Sequence, residues 1–247
     1  APGHAAPVDA GGHAGDLANA PAVLARSAAA CEALVTRVEA VAARAREFVN
    51  AMDFRVLFDS RRKLFAIGLR VSENTLDAGL YDLLASEARL TSFIAIAKGD
   101  APVSHWFHLG RALTPVGRDS VLVSWSGSMF EYLMPSLIMQ VPEGSLLDQT
   151  CRLVVQRQIA YGAERGVPWG VSESGFNVRD ITMTYQYSTF GIPGLGLRRQ
   201  AGDDLVIAPY ATGLAAMINP SAAARNFIQL AAAGAAGEYG FHEALDY

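Results

Sequence analysis

Apolar residues recur at helical spacing in about six segments of this chain, joined by long loops rich in aromatic and glycine residues. From Ala22 to Val49 the positions Leu24, Ala28, Cys31, Leu34, Val35, Val38 and Val41 share one face and Arg and Glu take the other, the pattern of an amphipathic helix. Asp77 is placed to cap a helix that runs to about Ala97 and stops at Gly99 and Asp100. Further helices are predicted at about 128–140 and 145–164, the second ending at Gly166 and Pro168, and at 204–218 and 220–233. Pro209 falls near the first turn of one and Pro220 opens the last, where proline is tolerated. Short strands are predicted at Leu64–Leu69 and Val121–Trp125. Residues 1–21 read as a flexible lead-in and 168–203 as an irregular stretch. The pattern implies an all-α array of antiparallel helices over 22–247, an α/α toroid or part of one, with minor strands in its loops. Loops of that length usually carry function.

Hydrophobic residues make up 51% of the 247, enough for a sizeable core in one large domain or two small ones. A net charge of −4 with both signs interspersed offers no basic stripe for nucleic acid. No apolar run approaches the roughly 20 residues of a membrane span. The start, Ala1-Pro2-Gly3-His4, lacks the basic and apolar regions of a signal peptide. It also lacks an initiator Met, so a fragment or a processed product is expected. Cys31 and Cys151 are too few for a disulfide framework; a reduced cytoplasmic context fits them, with a single bridge as the alternative. His105 and His108, beside Trp106 and Phe107, have no acidic partner at ligand spacing. They read as satisfied or sugar-facing histidines, and neither metal nor cofactor is expected.

Three glutamates stand out: Glu87 in Ser86-Glu87-Ala88-Arg89, Glu131 in Met129-Phe130-Glu131-Tyr132, and Glu173 in Ser172-Glu173-Ser174. A buried carboxylate costs several kcal/mol or more unless it is paired or protonated. On the predicted helix, Glu87 shares a face with Leu80, Leu84, Thr91 and Ile94. It is either a buried partner of an arginine such as Arg89 or a general acid whose pKa is raised by desolvation. Glu131 leans toward an apolar side but follows Ser128, so a capping box is the stronger reading. Glu173 lies among Trp169, Gly170, Ser172, Ser174, Gly175, Phe176 and Asn177. An ionised carboxylate in such a polar pocket suits a nucleophile or base; a plain loop glutamate is the alternative. Trp106, Trp125, Trp169 and Tyr185-Gln186-Tyr187 add stacking faces, amides and hydroxyls that suit sugar rings. Two carboxylates with separated pKa values are what glycosidic bond chemistry needs. The segment around Ser126 is not a nucleophile elbow, and Gly191-Ile192-Pro193-Gly194-Leu195-Gly196 lacks a P-loop lysine and a preceding buried strand, so it reads as a loop.

At these residues the chain resembles a known family. Asp53-Phe54-Arg55, the run Tyr81 to Leu90, His105 to Arg111, Ser124 to Pro135, Trp169 to Ser174 and Tyr185 to Tyr187 are similar to the glycoamylase-like region of cyclic β-1,2-glucan synthases. The resemblance covers roughly 45–247, and several motifs run for eight or more residues. It implies an (α/α)6 toroid, incomplete here because the family pattern continues with further helices beyond Tyr247. It implies a domain on the cytoplasmic face of the inner membrane, without direct membrane contact, embedded among the other domains of a large membrane protein. The implied partner is a linear β-1,2-glucan chain, and the implied activity a retaining transglycosylation that closes it into a ring. Glu87 is then the acid/base and Glu173 the nucleophile. Glu131, Trp106, His108, Arg111, Trp125, Trp169, Asn177, Tyr185, Gln186 and Tyr187 are candidates for substrate binding. The alternatives are an inverting endohydrolase of the same polymer and a non-catalytic glucan-binding module.

Overall fold

A computed structural model describes residues 11–198 and 204–247. The chain divides into two compact units between Asp53 and Phe54. The first contains one long helix, α1 (Gly11–Ala51), which starts well before Ala22 and takes Pro21 into its length; residues 1–10 lie outside the described residues. Its apolar stripe is exposed, including Leu34, Val35, Val38 and Val41.

The second unit, 54–247, corrects the all-α expectation. Among the described residues it holds thirteen short strands arranged in six small sheets. It has six α-helices: α2 (Arg89–Lys98), α3 (Ser104–His108), α4 (Met129–Leu133), α5 (Leu146–Arg165), α6 (Pro209–Ala215) and α7 (Pro220–Ala232). Only α2, α5 and α7, at 10, 20 and 13 residues, exceed two turns by a clear margin, so the described residues do not form a full ring of paired helices. The physical reason lies in the connections. Backbone N–H and C=O groups outside helices still need partners, and these segments find them by pairing. Leu113–Val116 folds back on Asp119–Leu122 around Gly117, at φ 63°. Ser174–Arg179 pairs with Tyr185–Ser188 through a bulge, inside the stretch expected to be irregular. Phe58–Asp59, Leu64–Ala66 and Leu80–Tyr81 form a three-stranded antiparallel sheet.

Pairing also explains why the helix predicted from Asp77 starts late. Asp77 accepts from Arg70 Nε at 3.3 Å instead of capping a helix. Leu80–Tyr81 joins the sheet, and Leu83 bridges to Gly110. The stop was read correctly: Gly99 sits at φ 80° and its N–H returns to Ala95 and Ile96.

The other helix ends follow their sequence signals. Ser145 caps α5 by accepting from Asp148 N, and Gly166 ends it at φ 69°. Asn219 caps α7 ahead of Pro220. The core packs α4, α5 and α6 around Leu122, Met129, Tyr132, Leu133, Val154, Val171 and Ile207. Burying each such side chain contributes about 1.5–3 kcal/mol. Cys31 and Cys151 are both free thiols.

Candidate active site

Glu87, Glu131 and Glu173 line one cavity of about 350 Å3, with Tyr81, Asp82, Ser86, Trp125, Ser126 and Thr189 also in its wall. Each glutamate arrives from a different element, and each is held differently.

Glu131 is used by the fold. It opens α4, where Ser128 and Glu131 complete a capping box. Its Oε2 accepts from Ser124 Oγ at 2.9 Å, Ser126 Oγ at 2.7 Å, and the N–H groups of Gly127 and Ser128, both at 3.0 Å. Its Oε1 accepts from Trp125 N at 3.1 Å and Ser126 N at 3.0 Å. A carboxylate so surrounded needs no cation, because charge-assisted bonds from several donors offset its desolvation. The consequence is a rigid Ser124–Ser128 loop that forms one wall of the cavity. Gly191 and Gly196 press on its other side, where a Cβ on either would collide with the Ser126 backbone. The glycine-rich segment therefore serves close backbone approach.

Glu87 is not on a helix. It sits in the turn that leads into α2, where Ser86 Oγ accepts from Ala88 N at 3.1 Å and also lies 3.3 Å from Glu87 Oε2. Arg89 is not its partner. That guanidinium is buried, at 2% exposure, and donates to the carbonyls of Ser86, Glu131 and Tyr132 at 3.2, 3.0 and 2.6 Å. Burial raises the Glu87 pKa above the ordinary carboxylate range, and the nearby Glu131 charge adds to the shift.

Glu173 follows a segment pinned between helices. Gln158 of α5 bonds both backbone groups of Val171, at 2.9 and 2.7 Å. Ser172 Oγ accepts from Phe130 N of α4 at 3.0 Å. Tyr210 of α6 places its hydroxyl 2.8 Å from Ser172 Oγ and 2.8 Å from the Glu173 carbonyl. Burial again raises the carboxyl pKa, while a hydrogen bond from Tyr187 opposes the rise and the Glu87 and Glu131 charges reinforce it. The Glu87 charge thus reaches Glu173 across the cavity, and each ionised form has a hydroxyl to stabilise it, Ser86 Oγ at Glu87 and the Tyr187 phenol at Glu173.

The other sequence-selected residues separate. Trp125, 58% exposed, lines the cavity, and Tyr187 touches it through Glu173. The remaining candidates lie elsewhere. Trp169 is buried in the core. Arg111 closes the end of α3 by donating to the carbonyls of Trp106 and Leu109. His108 Nδ1 sits 2.7 Å from the Ser104 carbonyl, Trp106 packs on the core, and His105 is buried between the Lys63 carbonyl and Ser92 Oγ. Gln186 Nε2 donates to the Thr184 carbonyl. Asn177 and Tyr185 line a different groove. Sequence reasoning missed Asp82, Thr189 and Tyr210. The first two carry no local signal, and Tyr210 reaches the site from 37 residues beyond Glu173.

The chain belongs to the glycoamylase family: the family model described as a putative glucoamylase matches residues 80–247. Among curated proteins it is similar to the cyclic β-(1,2)-glucan synthase NdvB of Rhizobium meliloti (strain 1021), 55% identical over 218 residues. That match takes in 88% of this chain, which spans only 8% of the length of that relative. The crystal structure of a putative glucoamylase from Bacteroides caccae ATCC 43185 has the same fold at a TM-score of 0.60 and 15% identity, over 84% of this chain and 53% of its own.

Proposed function

We propose that this cavity carries out a retaining transglycosylation on linear β-1,2-glucan that closes the chain into a ring, as one domain of a longer synthase. The observation that carries the reading is the pairing of Glu87 and Glu173 in one cavity, with a hydrogen-bonding phenol on Glu173 alone. Glu87, whose pKa burial raises, donates its proton to the departing glycosidic oxygen. Glu173, hydrogen-bonded by Tyr187, attacks the anomeric carbon as its carboxylate, so that the glycosidic bond breaks as an ester to Glu173 forms. A hydroxyl at the far end of the same chain then attacks that carbon, gives its proton to Glu87, and releases Glu173. Trp125 at the rim offers a stacking face to a sugar. The name of the relative supports β-1,2-glucan as the substrate class, and the family membership supports glycosidic chemistry.

The test is mass spectrometry of linear β-1,2-glucan incubated with the chain and with its Glu173→Gln variant. Products lighter than the linear oligomers by the mass of water, formed only without the substitution, are the expected result. Shorter reducing oligomers instead would make the site hydrolytic, with carboxyl groups set about 6.5–9.5 Å apart for a water rather than about 5–5.5 Å. No turnover from folded chain would leave glucan binding without catalysis.

A further inference from the structure

A second concavity, of about 730 Å3, lies between the 174–188 hairpin and the C-terminal segment, and is lined by Asn177, Tyr185, His242, Glu243 and Asp246. We propose that this groove is a distal glucan-binding site, which holds the polymer several sugars away from the reacting bond; it rests on the glucan reading above.

The geometry begins with the hairpin. Residues i and i+2 of a strand share a face, so Tyr185 and Tyr187 project together, at 54% and 61% exposure, with the half-buried Gln186 between them. Gly175 stands opposite Tyr187, and Arg179 opposite Tyr185. At Gly175 an added Cβ would lie 3.6 Å from Glu243 Cγ, so the C-terminal segment runs along this same face. Glu243 Oε1 accepts from Gly175 N at 3.1 Å, and Asp246 Oδ2 from Asn177 N at 2.6 Å. Strand Leu245–Asp246 is held in turn by Val206–Ile207. The groove walls are therefore paired backbone rather than loose loop.

One residue joins the groove to the cavity. Tyr187 stands opposite Gly175, whose N–H donates to Glu243 in the groove wall, and the tyrosine hydroxyl bonds Glu173 in the cavity wall. A glucan leaving the cavity past Tyr187 meets Tyr185 next along the strand. The Arg179 guanidinium sits 4.3 Å from the Tyr185 ring centroid, covering one face of the ring and leaving the other for a sugar. Carboxylate, imidazole and amide groups around an aromatic platform match rows of hydroxyls. Among the described residues, no lysine or arginine lines this groove to suit a phosphate. A ring-closing enzyme must also keep the far end of its chain nearby, and a built groove beside the nucleophile meets that need.

The experiment is isothermal titration of linear β-1,2-glucans of graded length into the Glu173→Gln chain, with and without Tyr185→Ala. Tyr185→Ala should weaken binding of long chains roughly fivefold or more, as loss of an aromatic anchor does, and lower the long-to-short affinity ratio by the same factor. Tyr185→Phe, which keeps the ring, should restore the ratio. An unchanged ratio, or equal losses at every length, would overturn the distal site. Should the unsubstituted chain bind long glucans through Tyr185 yet turn none over, the catalytic reading fails while the groove stands.

Discussion

Replacing Glu131 by Gln tests whether that carboxylate is scaffold or machinery. The side chain is 6% exposed and gathers three hydroxyls and four backbone N–H groups. Gln matches its shape but must turn an NH2 toward one set of donors. The better orientation sets it against Trp125 N and Ser126 N, because Ser126 N keeps a second contact with the other oxygen at 3.2 Å. Trp125 N then loses its acceptor, Ser126 N is weakened, and the bonds to the remaining oxygen lose their charge assistance. At about 1–3 kcal/mol for an orphaned buried donor, the total is about 2–5 kcal/mol. That is a large share of the roughly 5–15 kcal/mol that holds a domain together. Urea unfolding followed by circular dichroism should show the midpoint falling with an unchanged slope. A loss below about 1 kcal/mol, together with collapsed turnover, would refute the scaffold argument and return Glu131 to the reaction.

Tyr210→Phe removes the hydroxyl shared by Ser172 Oγ and the Glu173 carbonyl while keeping the ring. Stability should fall by about 0.5–1.5 kcal/mol per bond lost, and kcat by up to about a hundredfold with little change in KM, because a small misplacement of Glu173 spoils its line of attack. Burial raises the carboxyl pKa of both Glu87 and Glu173 on folding. The folded state therefore holds these protons more tightly, and their contribution to stability is full below the ordinary glutamate range and lost as pH rises through the raised folded values. Thermal melts should show Glu87→Gln and Glu173→Gln gaining on the unsubstituted chain above neutrality, with the gain fading toward acid; a gain that grows toward acid would reverse the assignment.

Much of the site was legible because its signals are local. Serine, glycine and aromatic residues around Glu87, Glu131 and Glu173 marked all three, and Ser128 three residues before Glu131 announced the capping box. Helix stops at Gly99 and Gly166 were equally local. What failed was long-range. The apolar spacing of Leu80, Leu84 and Glu87 matches a helix, but pairing with Ala66 and Gly110 draws the segment out, and tertiary pairing outweighs weak helical preference. Arg111, Trp106 and Trp169 have the composition of a sugar site, yet a helix end and the core claim them. Nothing near Tyr210 in the sequence points across to Glu173.

Two of the three glutamates are free for chemistry because the third is not. Seven donors let Glu131 sit buried without an ion pair, and the Arg89 guanidinium gives its hydrogen bonds to backbone carbonyls. Burial raises the pKa of both Glu87 and Glu173, and the Glu131 charge adds to the rise at each, while the Arg89 charge opposes it at Glu87. A scaffolding carboxylate thus does electrostatic service for the proposed acid. At Glu173 the Tyr187 hydroxyl, which favours the ionised form, opposes part of that rise. Ser86 Oγ offers Glu87 a similar bond, so two carboxyls with different hydroxyl partners share one cavity, and unequal settings of that kind are what the proposed acid and nucleophile require.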